Sequence, residues 1–199
     1  MHSTIHIPRT DHRTPAIFLD RDGTINVEKE YLYRVDDWEW IPGAIEAIGM
    51  FKHAGYRVVV VSNQAGIARG KYGVDEVDSL HDFVQKDLAV SGIAIDAFYY
   101  CPHHPDFSSQ CVCRKPAPGM LLQASLDLNL DLTRSWMIGD KLIDVKTGDK
   151  LGLRSLMVRT GYGSIQQKSI NAGQLFDTVL DVAEFIIGCE SSYLEAALT

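Results

Sequence analysis

The stretch Phe18-Leu-Asp-Arg-Asp-Gly-Thr-Ile25 places two carboxylates, Asp20 and Asp22, two residues apart where an apolar run opens into a glycine-containing turn. Such a pair can divide labour. One carboxylate stays ionised as a nucleophile while the other carries a proton to and from the reacting oxygen. Three further polar clusters follow apolar runs. Val59-Val-Val-Ser-Asn-Gln-Ala-Gly66 offers the Ser62 hydroxyl and the backbone amides after it, which can hold an anionic oxygen. Arg114-Lys115-Pro116 sets two cations before a candidate helix, and a lysine aimed inward would balance a phosphoryl group. Met137-Ile-Gly-Asp-Lys-Leu-Ile-Asp144 places Asp140 beyond another apolar run, with Gly139 permitting close backbone approach. The carboxylates of Asp20 and Asp140, with the backbone carbonyl of Asp22, make a hard oxygen site suited to Mg²⁺ bound together with a phosphate. Lys141 and Asp144 flank that site, and the Lys141 backbone is a further candidate ligand. Each cluster alone also reads as an ordinary turn or a solvated basic pair.

Elements that could bring these clusters together are legible in the hydrophobic pattern. Ala16–Asp20, Tyr56–Val61, Ile93–Tyr100, Ser135–Ile138 and Ser155–Val158 read as buried strands. Residues 43–54, 74–90, 118–130 and 144–151 read as helices, and residues 178–187 as a last strand and helix. Strands apolar throughout, alternating with helices, predict an α/β, Rossmann-like fold: a parallel sheet with helices on both faces. Right-handed crossovers put all carboxyl ends of such strands on one edge, where ligands bind. The polar clusters all fall at those ends. The expected organisation is a loose tail over residues 1–13, one domain over 14–190, and a C-terminal tail over 191–199. The gap between Asp22 and Ser62 has room for one helix and a loop, not for a large cap domain.

A second constellation lies in Tyr100-Cys-Pro-His-His-Pro-Asp-Phe-Ser-Ser-Gln-Cys-Val-Cys-Arg-Lys-Pro116. Cys101-x-His and, seven residues on, Cys111-x-Cys113 give a Cys₃His set, a composition that tetrahedral zinc takes. The spacings are tighter than in zinc fingers, and His104 competes with His103 for the fourth place. Reduced thiols in a loop are the plainer alternative. Four protein ligands close a zinc site, which makes it structural, and this loop (residues 101–113) leads straight into Arg114 and Lys115.

The ordered motifs D-x-D-G-T, apolar-Ser-Asn, Lys and G-D-x-x-x-D resemble those of the haloacid dehalogenase superfamily of aspartyl-phosphate phosphotransferases over about residues 16–162. The resemblance implies that Asp20 attacks phosphorus and Asp22 serves as general acid and base. It implies that Ser62 and Lys115 steady the phosphoryl oxygens, and that Mg²⁺ is held by Asp20, Asp22 and Asp140. The zinc loop with C-R-K-P-x-P-G-M and the run Ser62-Asn-Gln-Ala-Gly-Ile-Ala-Arg-Gly-Lys71 are similar to one bacterial branch of that superfamily. This branch removes the C7 phosphate of D-glycero-D-manno-heptose 1,7-bisphosphate in lipopolysaccharide or S-layer heptose synthesis. It implies His103 as the zinc ligand. It implies substrate contacts by Arg21, the segment Glu28-Lys29-Glu30-Tyr31, Asn63, Gln64, Ala65 and Arg114. Histidinol-phosphate phosphatases share the zinc loop and are the alternative enzyme. A phosphorylatable receiver is the non-enzymatic one, lacking any need for Asp22.

Composition bounds these readings. The chain has 199 residues, 46% hydrophobic and 23% charged, consistent with a single core. Nineteen Lys and Arg against 26 Asp and Glu give a net charge of −7, which disfavours a general nucleic-acid or anionic-membrane surface. No apolar run approaches membrane-spanning length, and residues 1–13 lack the apolar stretch of a secretory signal, so the chain is expected in the cytoplasm. A small phosphosugar is the expected partner, and family analogy implies a monomer.

Overall fold

The computed structural model describes residues 13–108 and 110–197. Strand β1 (Ala16–Leu19) is completely buried, and helix α1 (Ala44–His53) and strand β2 (Arg57–Asn63) follow it. A single-turn helix α2 (Ala65–Ala68) precedes the long helix α3 (Val74–Val90) and strand β3 (Ala97–Cys101). Helix α4 (Gly119–Asp127), strand β4 (Trp136–Gly139), helix α5 (Leu142–Asp149) and strand β5 (Arg154–Val158) complete the alternation. The short helix α6 (Gly163–Gln166), the two-residue strand β6 (Leu175–Phe176) and helix α7 (Val179–Ala197) close the described chain.

The six strands among the described residues are all parallel, in the order β3-β2-β1-β4-β5-β6. The chain winds outward from β1 in both directions, so the carboxyl end of β1 is the topological switch point. Alternate β1 residues serve different cores. Ile17 and Leu19 pack with residues of α1, α3 and α7, whereas Ala16 and Phe18 pack with Met120, Leu121 and Ala124 of α4. Helices therefore cover both faces, as the uniformly apolar strands predict. Gly148 lets α5 lie against the sheet, since a Cβ there would come within 2.7 Å of the Met137 Cβ.

Three expectations about elements differ from the structure. The third strand begins at Ala97, not Ile93, because the backbone of Ile95 is hydrogen-bonded to the Gln85 side chain of α3 instead of a strand. Helix α7 continues to Ala197, into the segment expected as a C-terminal tail. The last strand also lies before residue 178 rather than after it. The tail expected over residues 1–13 falls outside the described residues, apart from Arg13. Between β1 and β2 there is only a loop with a short 3₁₀ turn at Val35–Asp37, and then α1, so no large cap is built there. No described helix is long and apolar enough to cross a membrane.

Candidate active site

Register decides what meets at the switch point. Leu19 pairs with Val60 on one side and Ile138 on the other, so the next residue, Asp20, lies between the ends of β2 and β4. The Asp20 N–H donates to the Ile138 carbonyl (2.9 Å), which holds Asp20 to the sheet after the strand ends. Ser62 is the penultimate residue of β2, two positions beyond Val60, and Asp140 follows Gly139. A cleft of about 240 Å³ opens over this edge, lined among others by Asp20, Asp22, Ser62, Asn63, Arg114 and Lys115.

Lys115 is the buried cation of the site, 3% exposed. Its Nζ lies 2.8 Å from Asp20 Oδ1, 2.6 Å from Asp144 Oδ1 and 2.8 Å from the Val61 carbonyl. Burial works against the ammonium, but Asp144 and Asp20 outweigh it and hold the pKa above the usual lysine value. The Asn63 amide secures the backbone of Lys115 at both ends, accepting from its N–H (2.9 Å) and donating to its carbonyl (3.1 Å).

Asp20, Asp140 and Asp144 present oxygens that all lie within 4.8 Å of one another. Burial, and then the Asp20 charge, push the Asp140 carboxyl up to about 8, and burial with the Asp20 charge carries Asp144 to about 6 despite Lys115. Asp140 Oδ2 accepts from the Tyr162 N–H (2.8 Å), while the buried Oδ1 accepts no hydrogen bond; its nearest described cation is Lys141 Nζ at 3.5 Å. Crowded, desolvated carboxylate oxygens with one left unbonded fit a divalent cation. The backbone closes in because Gly23 (φ +85°) and Gly161 (φ +57°) have no side chain; a Cβ on either would stand 2.2–2.3 Å from Asp140 Oδ2. Asp144, a flanking residue by sequence, is central to this geometry, and Tyr162 carried no sequence signal.

Asp22 is partly exposed to the cleft. Its Oδ1 receives Arg21 Nε (3.1 Å), Arg21 Nη2 (2.9 Å) and Asn26 Nδ2 (3.0 Å), and its Oδ2 receives Gln64 Nε2 (3.0 Å). Burial would raise this carboxyl, but the Arg21 guanidinium and the three amide and guanidinium donors hold it below the usual range. Arg21 itself is fully buried, anchored further on the Leu32 carbonyl (2.9 Å) and near His81 Nε2 (3.4 Å). Its guanidinium is turned into the protein by the Leu32 carbonyl and His81, and it does not line the cleft. Burial lowers His81 to about 3, so it meets Arg21 as a neutral ring.

The other expected contacts divide. Glu28 and Glu30 line the cleft, whereas Lys29 points outward to the Asp37 carbonyl (2.8 Å) and Glu39 (3.1 Å). Tyr31 lies under the Lys71 ammonium (5.8 Å). Glu30 sits in the left-handed region (φ +56°), which breaks the regular alternation of the segment. Gln64 and Ala65 are not among the residues that line the cleft. The Lys141 backbone is spent locally: its N–H donates to Asp144 Oδ2 (3.0 Å) and its carbonyl accepts from the Asp144 N–H (3.0 Å). Its side chain is what reaches the cleft, 3.0 Å from Glu28 and 4.7 Å from the centre of the Tyr162 ring.

Beside the cleft, Cys101, His103, Cys111 and Cys113 converge. Cys101 Sγ lies 3.1 Å from Cys113 Sγ and 3.6 Å from both Cys111 Sγ and His103 Nδ1; Cys113 Sγ is 3.4 Å from His103 Nδ1. Zinc bonds of about 2.0–2.3 Å at tetrahedral angles separate ligand atoms by about 3.3–3.8 Å, close to these distances. His104 stands outside the cluster, with its Nε2 3.1 Å from Arg69. The loop reaches the cleft through Arg114, whose Nη1 donates to the His103 carbonyl (3.0 Å).

Residues 112–182 match the model of the HAD-hydrolase-like family. The chain is 42% identical over 181 residues to the D-glycero-beta-D-manno-heptose-1,7-bisphosphate 7-phosphatase of Photorhabdus laumondii, covering 87% of this chain and 96% of that one. It is 40% identical over 178 residues to the enzyme of the same name from Yersinia pestis (86% and 95%). Among solved structures it is similar to D,D-heptose 1,7-bisphosphate phosphatase from B. bronchiseptica, complexed with magnesium and phosphate. That match has a TM-score of 0.79 and 32% identity, over 87% of this chain and 98% of the other.

Proposed function

This chain belongs to the D-glycero-beta-D-manno-heptose-1,7-bisphosphate 7-phosphatase family of HAD-like hydrolases, and from that premise we propose that it removes the C7 phosphate of the β-anomer of that sugar, with Asp20 as nucleophile. The observation that carries the reading is the meeting of Asp20, Lys115 and Asp140, from three distant parts of the chain, at one sheet edge.

An Asp20 oxygen attacks phosphorus, forming an aspartyl phosphate as the bond from phosphorus to the C7 oxygen breaks. Asp22 protonates the departing sugar oxygen; the arriving phosphoryl dianion favours the protonated form that Arg21 otherwise opposes. A water molecule then attacks the phosphoaspartate, Asp22 takes its proton, and phosphate leaves with Asp20 restored. Ser62 and Lys115 hold the phosphoryl oxygens, and Asp144 and the Val61 carbonyl aim Lys115. Two covalent displacements replace one hydrolysis by an unactivated water. The carboxylates of Asp20 and Asp140 and the Asp22 carbonyl would hold Mg²⁺, which supplies charge shielding between an anionic nucleophile and an anionic substrate. Zn²⁺ on Cys101, His103, Cys111 and Cys113 would have no free position, so its role is structural. Arg114 and Lys141, with Glu28 and Glu30 at the mouth, face the remainder of the sugar phosphate.

The test is phosphate release from heptose bisphosphate anomers and from histidinol phosphate by wild type and Asp20→Asn. We expect preference for the β-anomer and turnover abolished in a folded Asp20→Asn protein. A larger kcat/KM for histidinol phosphate would overturn the substrate, and retained release would remove Asp20 as nucleophile.

A further inference from the structure

Gln64 lies under the site, not in it, and both ends of its amide are committed. Its Nε2 donates to Asp22 Oδ2 (3.0 Å) and to Ser62 Oγ (2.7 Å), and its Oε1 accepts from the Tyr72 hydroxyl (2.6 Å). One NH₂ group thus serves the proposed acid/base and a proposed phosphoryl-binding hydroxyl together. Because Ser62 accepts this bond, its own hydrogen is free for an incoming phosphoryl oxygen. The other Asp22 oxygen is held by Arg21 and Asn26, so Gln64 is the described partner that steadies Oδ2.

An amide has two orientations of nearly equal shape, and a flip would set the Gln64 oxygen against the Asp22 carboxylate. The group that reads the orientation is Tyr72. Tyr72 is 9% exposed, its ring stacks on Tyr33 at 5.1 Å, and its seat exists only because residue 66 is glycine; a Cβ there would lie 2.2 Å from Tyr72 Cε1. Burial keeps the phenol protonated, raising it to about 12. The hydroxyl therefore has a hydrogen to donate, and it donates it to Gln64 Oε1.

We propose that Tyr72 is a positioning residue for catalysis: its hydroxyl locks the Gln64 amide so that one NH₂ group aligns both Asp22 and Ser62. The inference rests on the roles proposed above for Asp22 and Ser62. It makes Gln64 a support for the machinery and not a substrate contact.

The experiment compares kcat/KM on heptose 1,7-bisphosphate, whose sugar oxygen leaves only when protonated, with kcat/KM on p-nitrophenyl phosphate, whose leaving group needs no proton. In Tyr72→Phe the ratio of the two is expected to fall about tenfold, a fraction of what a positioned general acid supplies. Gln64→Leu should lower the ratio at least as much, and Tyr72→Phe added to Gln64→Leu should lower it no further. An unchanged ratio in Tyr72→Phe, or losses that multiply in the double variant, overturns the proposal. If wild type cleaves p-nitrophenyl phosphate but not the heptose bisphosphate, the substrate assignment fails by itself, and the ratio is read on an alkyl phosphate that wild type does hydrolyse. A wild type inert towards all phosphomonoesters overturns both.

Discussion

At the scale of single residues, what a side chain does here follows from what surrounds it. Arg114 and Lys115 are adjacent cations, yet Lys115 is sunk among Asp20, Asp144 and the Val61 carbonyl while Arg114 bridges the Cys/His loop and the cleft. Arg114→Ala is accordingly expected to raise KM about tenfold with kcat little changed, in steady-state assays on the bisphosphate. Gly23 makes the opposite point, that a missing side chain can be essential. Gly23→Ala would force a Cβ to 2.3 Å from Asp140 Oδ2 on a backbone with φ of +85°, displacing a carboxylate of the oxygen cluster. A displacement near 1 Å is enough for a loss of about 100-fold in kcat. Circular dichroism should show the variant folded, and activity near wild type would mean that Asp140 can move without consequence.

At the scale of elements, one carboxylate ties three of them. Asp96, just before β3, bonds Lys52 of α1 (2.6 Å) and both the Arg57 side chain (2.7 Å) and the Val58 N–H (2.7 Å) of β2. Partial burial would raise its pKa, but these donors outweigh burial and hold it below the ordinary value. A carboxyl depressed on folding adds stability at pH above its unfolded value, about 4, and that stability is lost as pH falls through the folded value. Asp96→Asn should therefore lower stability at pH 7 by about 1 kcal/mol, a modest figure because Arg57 is half exposed. In urea titrations the gap between variant and wild type should close as pH drops below 4; a gap independent of pH would assign the effect to packing. The same region explains why β3 starts only at Ala97. Ile93 and Ile95 have strand-like composition, but the Gln85 side chain satisfies the Ile95 backbone before any strand can.

At the scale of the whole molecule, a chain of charge −7 gathers three carboxylates and then a buried lysine at one point. Sheet topology makes this possible, because the crossovers deliver each strand end to the same edge. The Cys/His loop is joined to that edge through the His103 carbonyl and Arg114. Zinc removal, with Mg²⁺ supplied, should raise KM about tenfold while kcat on the bisphosphate is largely retained. Metal analysis paired with kinetics checks this, and an unchanged KM in verified zinc-free protein would separate the loop from the site.

The sequence by itself determined the alternation of strands and helices, the parallel sheet and the polar residues at strand ends. Each depends on local composition and on the fixed handedness of crossovers. The pairs Asp20 with Asp22 and Cys111 with Cys113 were legible for the same reason: their partners are neighbours in the chain. Only the tertiary structure decided where side chains point. Arg21 and Gln64 share motifs with cleft residues but turn inward, Lys141 offers its side chain in place of its backbone, and Asp144 moves from the margin to the centre. Tyr72 and Tyr162 lie eight or more residues beyond the nearest motif residue they serve; what brings them in is the close approach of Gly66 to Tyr72 and of Gly161 to Asp140. The physical reason is range. Hydrophobic periodicity is written along the chain, whereas a buried polar contact is chosen by whichever partner the packed neighbours leave within 3 Å.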